Sequence, residues 1–305
     1  MSDADVRPVR RKKKLKLAIL SRKTSLYSTR RLLDAAKARG VSTKVIDVLR
    51  CSLSLESGSL QLFVDGKLLA RPDVVLPRIG ASVTTHGLHV VRQLEAQGAR
   101  IVNSSAAIEQ SRDKLRALQR LSQANVAVPR TVLARGGKHL EALVAQVGGL
   151  PAILKMIRGT QGIGVMIAHT MAEVESILAT LWELGQEILL QEFIAEARGN
   201  DLRALVVGDR VVGAMRREAK QGEFRSNLHR GGAAHSVEIS PDVAKLAVRA
   251  ARVLGLEVAG VDLLESHAGF KVLEVNSSPG FEGLERATGI DVAGAIVDRV
   301  VELAK

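Results

Sequence analysis

Two acidic side chains and an amide fall close together near the carboxyl end of this 305-residue chain. Asp262 lies in Val-Ala-Gly-Val-Asp-Leu-Leu, and Glu274 and Asn276 lie in Phe-Lys-Val-Leu-Glu-Val-Asn. Both segments read as strands, and a hairpin folded about Ala268 sets Asp262 opposite Glu274. Glu274 and Asn276 are two residues apart and share one strand face. Like charges facing each other across a ladder repel unless something neutralises them. Oxygen-only donors in this arrangement suit a hard divalent cation, magnesium or manganese, held in part by substrate phosphates. The alternative is a carboxylate that faces solvent or pairs with Lys271 or an arginine. Two carboxylates and an amide sharing one geometry favour the metal. Asn276-Ser-Ser-Pro-Gly280 then forms a tight loop that holds the strand end.

Two further segments carry groups suited to anions, and a third could meet a nucleoside. Lys155 ends a strand-like run before Gly159, Gly162 and Gly164, three glycines within six residues. Such a run lets backbone N–H groups approach an oxyanion, with the lysine reaching the same phosphate. It has no Gly-Lys-Ser/Thr ending and the wrong spacing for a dinucleotide fingerprint, so a flap between two strands is expected. A structural glycine-rich turn would have the same composition. The run Phe224-Arg-Ser-Asn-Leu-His-Arg-Gly-Gly232 offers Arg225 and Arg230 beside glycines, which suits phosphate or carboxylate clamping. A solvated basic loop is the alternative, and His229 has no visible partner. Gln191-Glu192-Phe193-Ile194 ends an apolar strand whose edge could read an adenine ring, and Asp201 could reach a ribose or an amino group. The sequence contains no nucleophile elbow, no Cys/His pair and no zinc spacing.

The elements that must position these groups alternate in type. Lys16–Leu20, 42–49, 73–76 and 100–103 read as strands, with helices over 28–40 and 86–98 between them. That order predicts a parallel sheet, and the unit ends near residue 110. A helix over 113–125 leads to a strand over 130–134, a helix over 139–147 and a strand hairpin over 152–169. A helix over 171–184, opened by a Thr170/Glu173 capping box, and a strand over 188–194 follow. The remainder begins with a hairpin, 202–207 and 210–215, turned at Gly208-Asp209. Ser240-Pro241 opens a helix, and a second hairpin and a helix over 291–303 close the chain. The division is therefore a basic tail over 1–14, an α/β unit over 15–110, a lobe with the flap over 111–194, and a lobe with the carboxylates over 195–305. No internal repeat is present.

Bulk properties narrow the class. The formal net charge is +12, of which the first sixteen residues supply +5 and the body +7. A basic body suits an anionic partner such as a nucleotide, an acidic peptide or RNA. A charged terminus is ordinarily a solvated tail, with ribosome or RNA contact the minority reading. Aromatic residues make up only 2%, so the cores must be aliphatic. No apolar run approaches a membrane span, and the basic start lacks the apolar stretch of a secretory signal. A single cysteine, Cys51, excludes an internal disulfide and points to a reducing, cytoplasmic home.

In this order the clusters resemble the ATP-grasp superfamily, and within it the RimK family. The residues that carry the resemblance are LKLAILSR at 15–22, PRIG at 77–80, GTQGIGV at 159–165 and Gln191-Glu192. FRSNLHRGG at 224–232, VAGVD at 258–262 and EVNSSPG at 274–280 complete the set. The resemblance runs from about residue 15 to the end, and the tail has no counterpart. It implies an α/β ATP-grasp fold, with an N-terminal parallel-sheet pre-ATP-grasp domain and two lobes clasping ATP. It further implies Lys155 and Lys114 on ATP phosphates, Gly162 in the flap, Glu192 and Phe193 beside adenine, and Asp201 at the nucleoside. Arg225, Ser226 and Asn227 would line the phosphate and acyl-phosphate side, with Arg225 and Asn227 catalytic. Asp262, Glu274 and Asn276 would hold two magnesium or manganese ions.

The activity implied is ligation of glutamate to the C-terminus of a small-subunit ribosomal protein (the sixth), by a homo-oligomer, expectedly a tetramer. Ligation of an amino acid to a small molecule or carrier protein, or free poly-α-glutamate synthesis, stays open. A non-catalytic RNA- or ribosome-binding protein is the reading from another class.

Overall fold

The structure, a computed structural model, describes residues 14–157, 164–197, 199–220 and 233–305. The chain begins with β1 (Lys16–Leu20), α1 (Tyr27–Ala38) and β2 (Ser42–Ile46). β3 (Cys51–Glu56), β4 (Ser59–Val64) and β5 (Lys67–Leu68) follow, then β6 (Val74–Pro77), α2 (Thr84–Ala96) and β7 (Arg100–Ile101). β2, β1, β6 and β7 form one parallel sheet in that order. β1 and β6 are almost wholly apolar and buried, as strands covered on both faces must be. The sequence pattern expected this sheet, though β2 stops at Ile46. There the Asp47 side chain accepts from Leu49 N and opens a short 3-10 turn.

β3, β4 and β5 make a separate antiparallel sheet that the pattern did not anticipate. Its signal was present. Asp65-Gly66 takes positive φ at both positions (49° and 72°), the geometry of a two-residue hairpin turn.

The next unit contains α3 (Ser105–Arg112), α4 (Lys114–Gln123), β8 (Thr131–Ala134), α5 (Leu140–Gln146) and β9 (Ala152–Met156). β10 (Val165–Ala168), α6 (Met171–Glu183) and β11 (Ile188–Glu192) complete it. Its sheet runs β10-β9-β11-β8, all antiparallel. The predicted capping box holds, with Thr170 Oγ1 accepting from Glu173 N at 3.2 Å.

The last unit comprises β12 (Asn200–Val207), β13 (Arg210–Glu218), β14 (Ala233–Ser236), α7 (Pro241–Val253), β15 (Val258–Ser266) and β16 (Gly269–Asn276). α8 (Glu282–Thr288) and α9 (Val292–Leu303) end the chain. The strands pair antiparallel in the order β14-β13-β12-β15-β16. α3, α8 and β14 had no counterpart in the sequence pattern.

The units are not independent. Leu17, Ile19, Leu32, Val74 and Leu76 of the first share one core with Leu205, Val207, Met215, Phe281, Val292 and Ile296 of the last. α4 bridges the other pair. Ala117 and Leu121 join the core of the last sheet, while Leu118 packs with Ile157 and Leu189 of the middle one.

Asn103 fastens the first sheet to the last. Its Nδ2 donates to Val258 O (2.8 Å) and Ser277 O (2.9 Å), and its Oδ1 accepts from Glu257 N and Val258 N. The loop after β16 is seated equally tightly. A Cβ on Gly260 would lie 2.7 Å from Pro279 Cβ, a rigid neighbour. Gly260→Ala should therefore destabilise the protein by about 1–3 kcal/mol through overpacking, read as a lower urea midpoint with an unchanged slope.

Candidate active site

On the last sheet, one row of paired residues crosses three strands: Arg203 on β12, Asp262 on β15 and Glu274 on β16. The expected pairing of Asp262 with Glu274 holds, but not by simple folding about Ala268. The turn is His267-Ala268, with Ser266 paired to Gly269, which alone would set Asp262 against Leu273. A bulge past Leu263–Val272 inserts one residue and brings Glu274 into line. The hairpin β12–β13 does the same. A shift between Leu205 and Val206 places Asp201 opposite Arg217 rather than Arg216.

Asp262 is 2% exposed and its carboxylate is gripped by arginine. Arg203 Nε and Nη2 donate to Oδ1 and Oδ2 at 2.6 Å each, and Arg217 Nη2 lies 3.0 Å from Oδ2. Burial alone would raise this carboxyl, but the two guanidinium groups outweigh it and hold its pKa down to about 2. The arginine alternative is therefore what Asp262 makes, and sequence reading missed both arginines. The signal was the alternation Asp201-x-Arg203, which puts both residues on the face that carries Asp262.

Glu274 is exposed, and Asn276 Nδ2 bridges it to Asp262, at 3.0 Å from Glu274 Oε1 and 3.4 Å from Asp262 Oδ2. Among the described residues no group of three or more His, Cys, Asp or Glu side chains is placed to hold a metal. The donor set is instead two carboxylates and an amide. Its chemistry fits a hard divalent cation: the carboxylates and the amide each carry oxygen, Asn276 Nδ2 holds the two carboxylates side by side, and Glu274 faces open space.

Two lysines come to the same place from other elements. Lys114 is the first residue of α4, which Asp113 caps, and its Nζ donates to Met156 O (3.3 Å) and Ile157 O (3.2 Å). Lys155, on β9, donates to Gln191 Oε1 at 2.6 Å, and Gln191 Nε2 donates to Thr131 Oγ1 at 2.9 Å. Burial lowers both ammonium groups, that of Lys155 to about 8. The Glu274 carboxylate opposes the shift in both, and Lys114 adds to it in Lys155. Two cations with depressed affinity for protons beside a carboxylate cluster are poised for a polyanion. Gln191, which orients Lys155, was read only as part of a strand end.

Other expectations move. β11 is not an edge, since it pairs with β9 on one side and β8 on the other through Glu192. The strand ends at Glu192, and Phe193 beyond it is half-buried. The Glu192 carboxylate accepts from Lys271 Nζ (2.7 Å) and from Arg130 N (3.0 Å). Burial pushes its pKa up, but these partners bring it below its ordinary value. Asp201, expected at the nucleoside, is instead buried in a forked pair with Arg217, whose Nε donates to Oδ1 at 2.6 Å. The physical reason is the bulged register, which sets the two residues directly opposite each other. Gly162, Arg225, Ser226 and Asn227 lie outside the described residues.

Asp262 and Glu274 should part company on substitution. Asp262→Asn leaves Arg203 without its buried anion and should destabilise the protein by about 3 kcal/mol or more. Glu274→Ala, at an exposed position, should stay within about 0.5 kcal/mol of the parent while abolishing metal-dependent turnover. Urea unfolding alongside ADP release checks both.

The RimK pre-ATP-grasp domain family matches residues 15–108, and the RimK-like ATP-grasp domain family matches residues 111–300. A protein of Pseudoalteromonas translucida named probable alpha-L-glutamate ligase is 50% identical over 290 residues, covering 95% of this chain and 96% of that one. One of the same name from Thioalkalivibrio sulfidiphilus is 50% identical over 291 residues, covering 95% and 97%.

Among solved structures, the ATP-grasp ligase PsnB complexed with minimal precursor superposes with a TM-score of 0.74. It is 24% identical, over 96% of this chain and 99% of that one. The RimK domain protein ATP-grasp from Sphaerobacter thermophilus gives 0.73 at 24% identity, over 94% and 99%. The fold is thus the ATP-grasp fold. With both family domains matched across nearly its whole described length, the chain belongs to the RimK-like ATP-grasp family and is an ATP-dependent carboxylate–amine ligase.

Proposed function

We propose that this enzyme joins glutamate, through its α-amine, to the C-terminal carboxyl of a protein acceptor by way of an acyl-phosphate. The acceptor we favour is the sixth protein of the small ribosomal subunit. The observation that carries the proposal is the convergence of Lys114 and Lys155 on Glu274 and Asn276. Charge-bearing groups of both signs meet there, as transfer of a phosphoryl group requires. The relatives named glutamate ligases supply the amino acid. Membership of a ligase family sets aside the non-catalytic RNA-binding reading.

In this mechanism a carboxylate oxygen of the acceptor attacks the γ-phosphorus of ATP, the bond to the β-phosphate oxygen breaks, and ADP leaves. The glutamate amine then attacks the acyl carbon, phosphate departs with the C–O electron pair, and the amine loses a proton. Lys155, aimed by Gln191, and Lys114, braced on two backbone carbonyls, hold the phosphates in line. Arg225, Ser226 and Asn227 would take the acyl-phosphate side, and the flap around Gly162 would exclude water. Glu192 and Phe193 would border the adenine. Asp201 serves by fixing Arg217 behind Asp262. Asp262, Glu274 and Asn276 would hold two magnesium or manganese ions, which would supply positive charge against the phosphates. We assign the working protein as a homo-oligomer, a tetramer, acting in the cytoplasm. Its units are those divided near residues 110 and 194, with the tail over 1–14 available for ribosome contact.

Mass spectrometry of purified small-subunit ribosomal proteins after incubation with enzyme, Mg-ATP and glutamate tests this. Whole glutamate masses should appear on one C-terminus, and none with Glu274→Ala. ATP turnover without added mass on any ribosomal protein would refute that acceptor. Glutamate oligomers formed without a protein would assign the enzyme to poly-α-glutamate synthesis. Lys155 adds a pH dependence. Its ammonium is charged below about 8 and neutral above, so kcat/KM for ATP should fall as pH rises through about 8. Lys155→Arg, which stays charged, should flatten that limb.

A further inference from the structure

The carboxyl ends of the strands in the first parallel sheet carry a second cationic site. Arg78 follows β6, and its Nη2 donates to Pro279 O at 2.6 Å. Its guanidinium carbon lies 5.7 Å from the centroid of the Phe281 ring. Arg112 ends α3 and donates through Nη2 to Ile79 O (2.5 Å) and through Nη1 to Thr84 Oγ1 (3.1 Å). Every one of these partners is neutral. Among the described residues no carboxylate lies within salt-bridge distance of either arginine, although Arg31, Arg39, Arg203 and Arg217 each have one.

Both groups are desolvated, and Arg78 is pulled down to about 10, first by burial and then by repulsion from Arg112. Two buried like charges facing each other are costly without an anion. Among the described residues, two buried side-chain polar atoms have no hydrogen-bond partner, Arg78 Nε and Ser277 Oγ. Ser277 directly follows Asn276, in the loop whose Pro279 carbonyl receives Arg78. Arg78 and Arg112 are each half-buried, so neither residue is sealed from solvent, whereas Ser277 is buried. Open parallel α/β sheets bind ligands at this end of their strands.

We propose that Arg78 and Arg112, with Ser277 Oγ beside them, form a subsite for a carboxylate that does not react. This rests on the ligase reading, and it names the group that selects an acidic substrate. A guanidinium fork matches a carboxylate in plane, and Arg78 Nε offers an unused donor. The loop 276–280 ties this subsite to the carboxylate cluster, so a substrate held here has its reactive end near Asn276. The shared chemistry, a side-chain carboxylate, can come from the incoming glutamate or from a glutamate at the acceptor's C-terminus.

Calorimetry with a non-hydrolysable ATP analogue present tests it without turnover. The ligands are glutamate, glutamine, and two acceptor peptides that end in glutamate or in glutamine. Wild-type enzyme should bind one acid at least about tenfold more tightly than its amide. Which acid does so identifies the source. Arg78→Gln, which keeps a donor for Pro279 O, and Arg112→Gln should each reduce that preference to within about twofold while ATP-analogue binding is retained. Equal binding of acid and amide by the wild type overturns the proposal, and so does a preference that survives both substitutions. Loss of glutamate transfer in the ribosomal-protein assay would refute the acceptor and leave this binding result standing.

Discussion

A carboxylate that is 2% exposed cannot remain ionised without partners, and the arrangement around Asp262 answers that constraint. Arg203 grips it in a fork from the neighbouring strand. Arg217 reaches it from one strand further and is itself fixed by Asp201. These four residues alternate in charge across one face of the last sheet. Because the arginines stand behind Asp262, its charge persists while Glu274 and Asn276 remain open toward the space that Lys114 and Lys155 enter. An unsupported carboxylate pair would instead raise each other's proton affinity and lose the negative charge that a cation requires.

The lysines reach this face only because the three sheets are locked together. α4 carries Lys114 at its first turn and buries its apolar side against both the middle and the last sheets. Asn103 makes four hydrogen bonds from the end of the first sheet to the start of β15 and the loop after β16. α8 and α9 fill the shared core between the first and last sheets. The units divided along the sequence near residues 110 and 194 are thus not separate bodies about the site. Each contributes a wall, and the loop 276–280 is where the walls of the first and last meet.

Much of this was legible in the residues themselves. The parallel sheet followed from alternating strands and helices, and the apolar character of β1 and β6 followed from their burial on both faces. The cap at Thr170 and the Ser240-Pro241 helix start were also readable, because each depends on local chemistry. The pairing of Asp262 with Glu274 was expected as well, but a bulge rather than the turn brings it about. The small β3–β4–β5 sheet was overlooked although Asp65-Gly66 marked its turn. The cation that Asp201 faces, Arg217, was not legible either, because an acid beside a glycine turn gives no hint of its partner across the bulged register.

The sequence alone determined the donor types, the strand faces they occupy and the family to which the whole belongs, because period-two alternation and motif spacing are local properties. Only the tertiary structure decided which charges meet. In both hairpins of the last sheet a single-residue bulge, invisible in the hydrophobic pattern, shifts the register by one and so exchanges the residue that faces each acid. The partners of Lys114, Arg78 and Asn103 are distant in sequence by 42 to 201 residues, and no local signal encodes them. They follow from packing several apolar cores at once, which fixes where the polar ends of the elements converge.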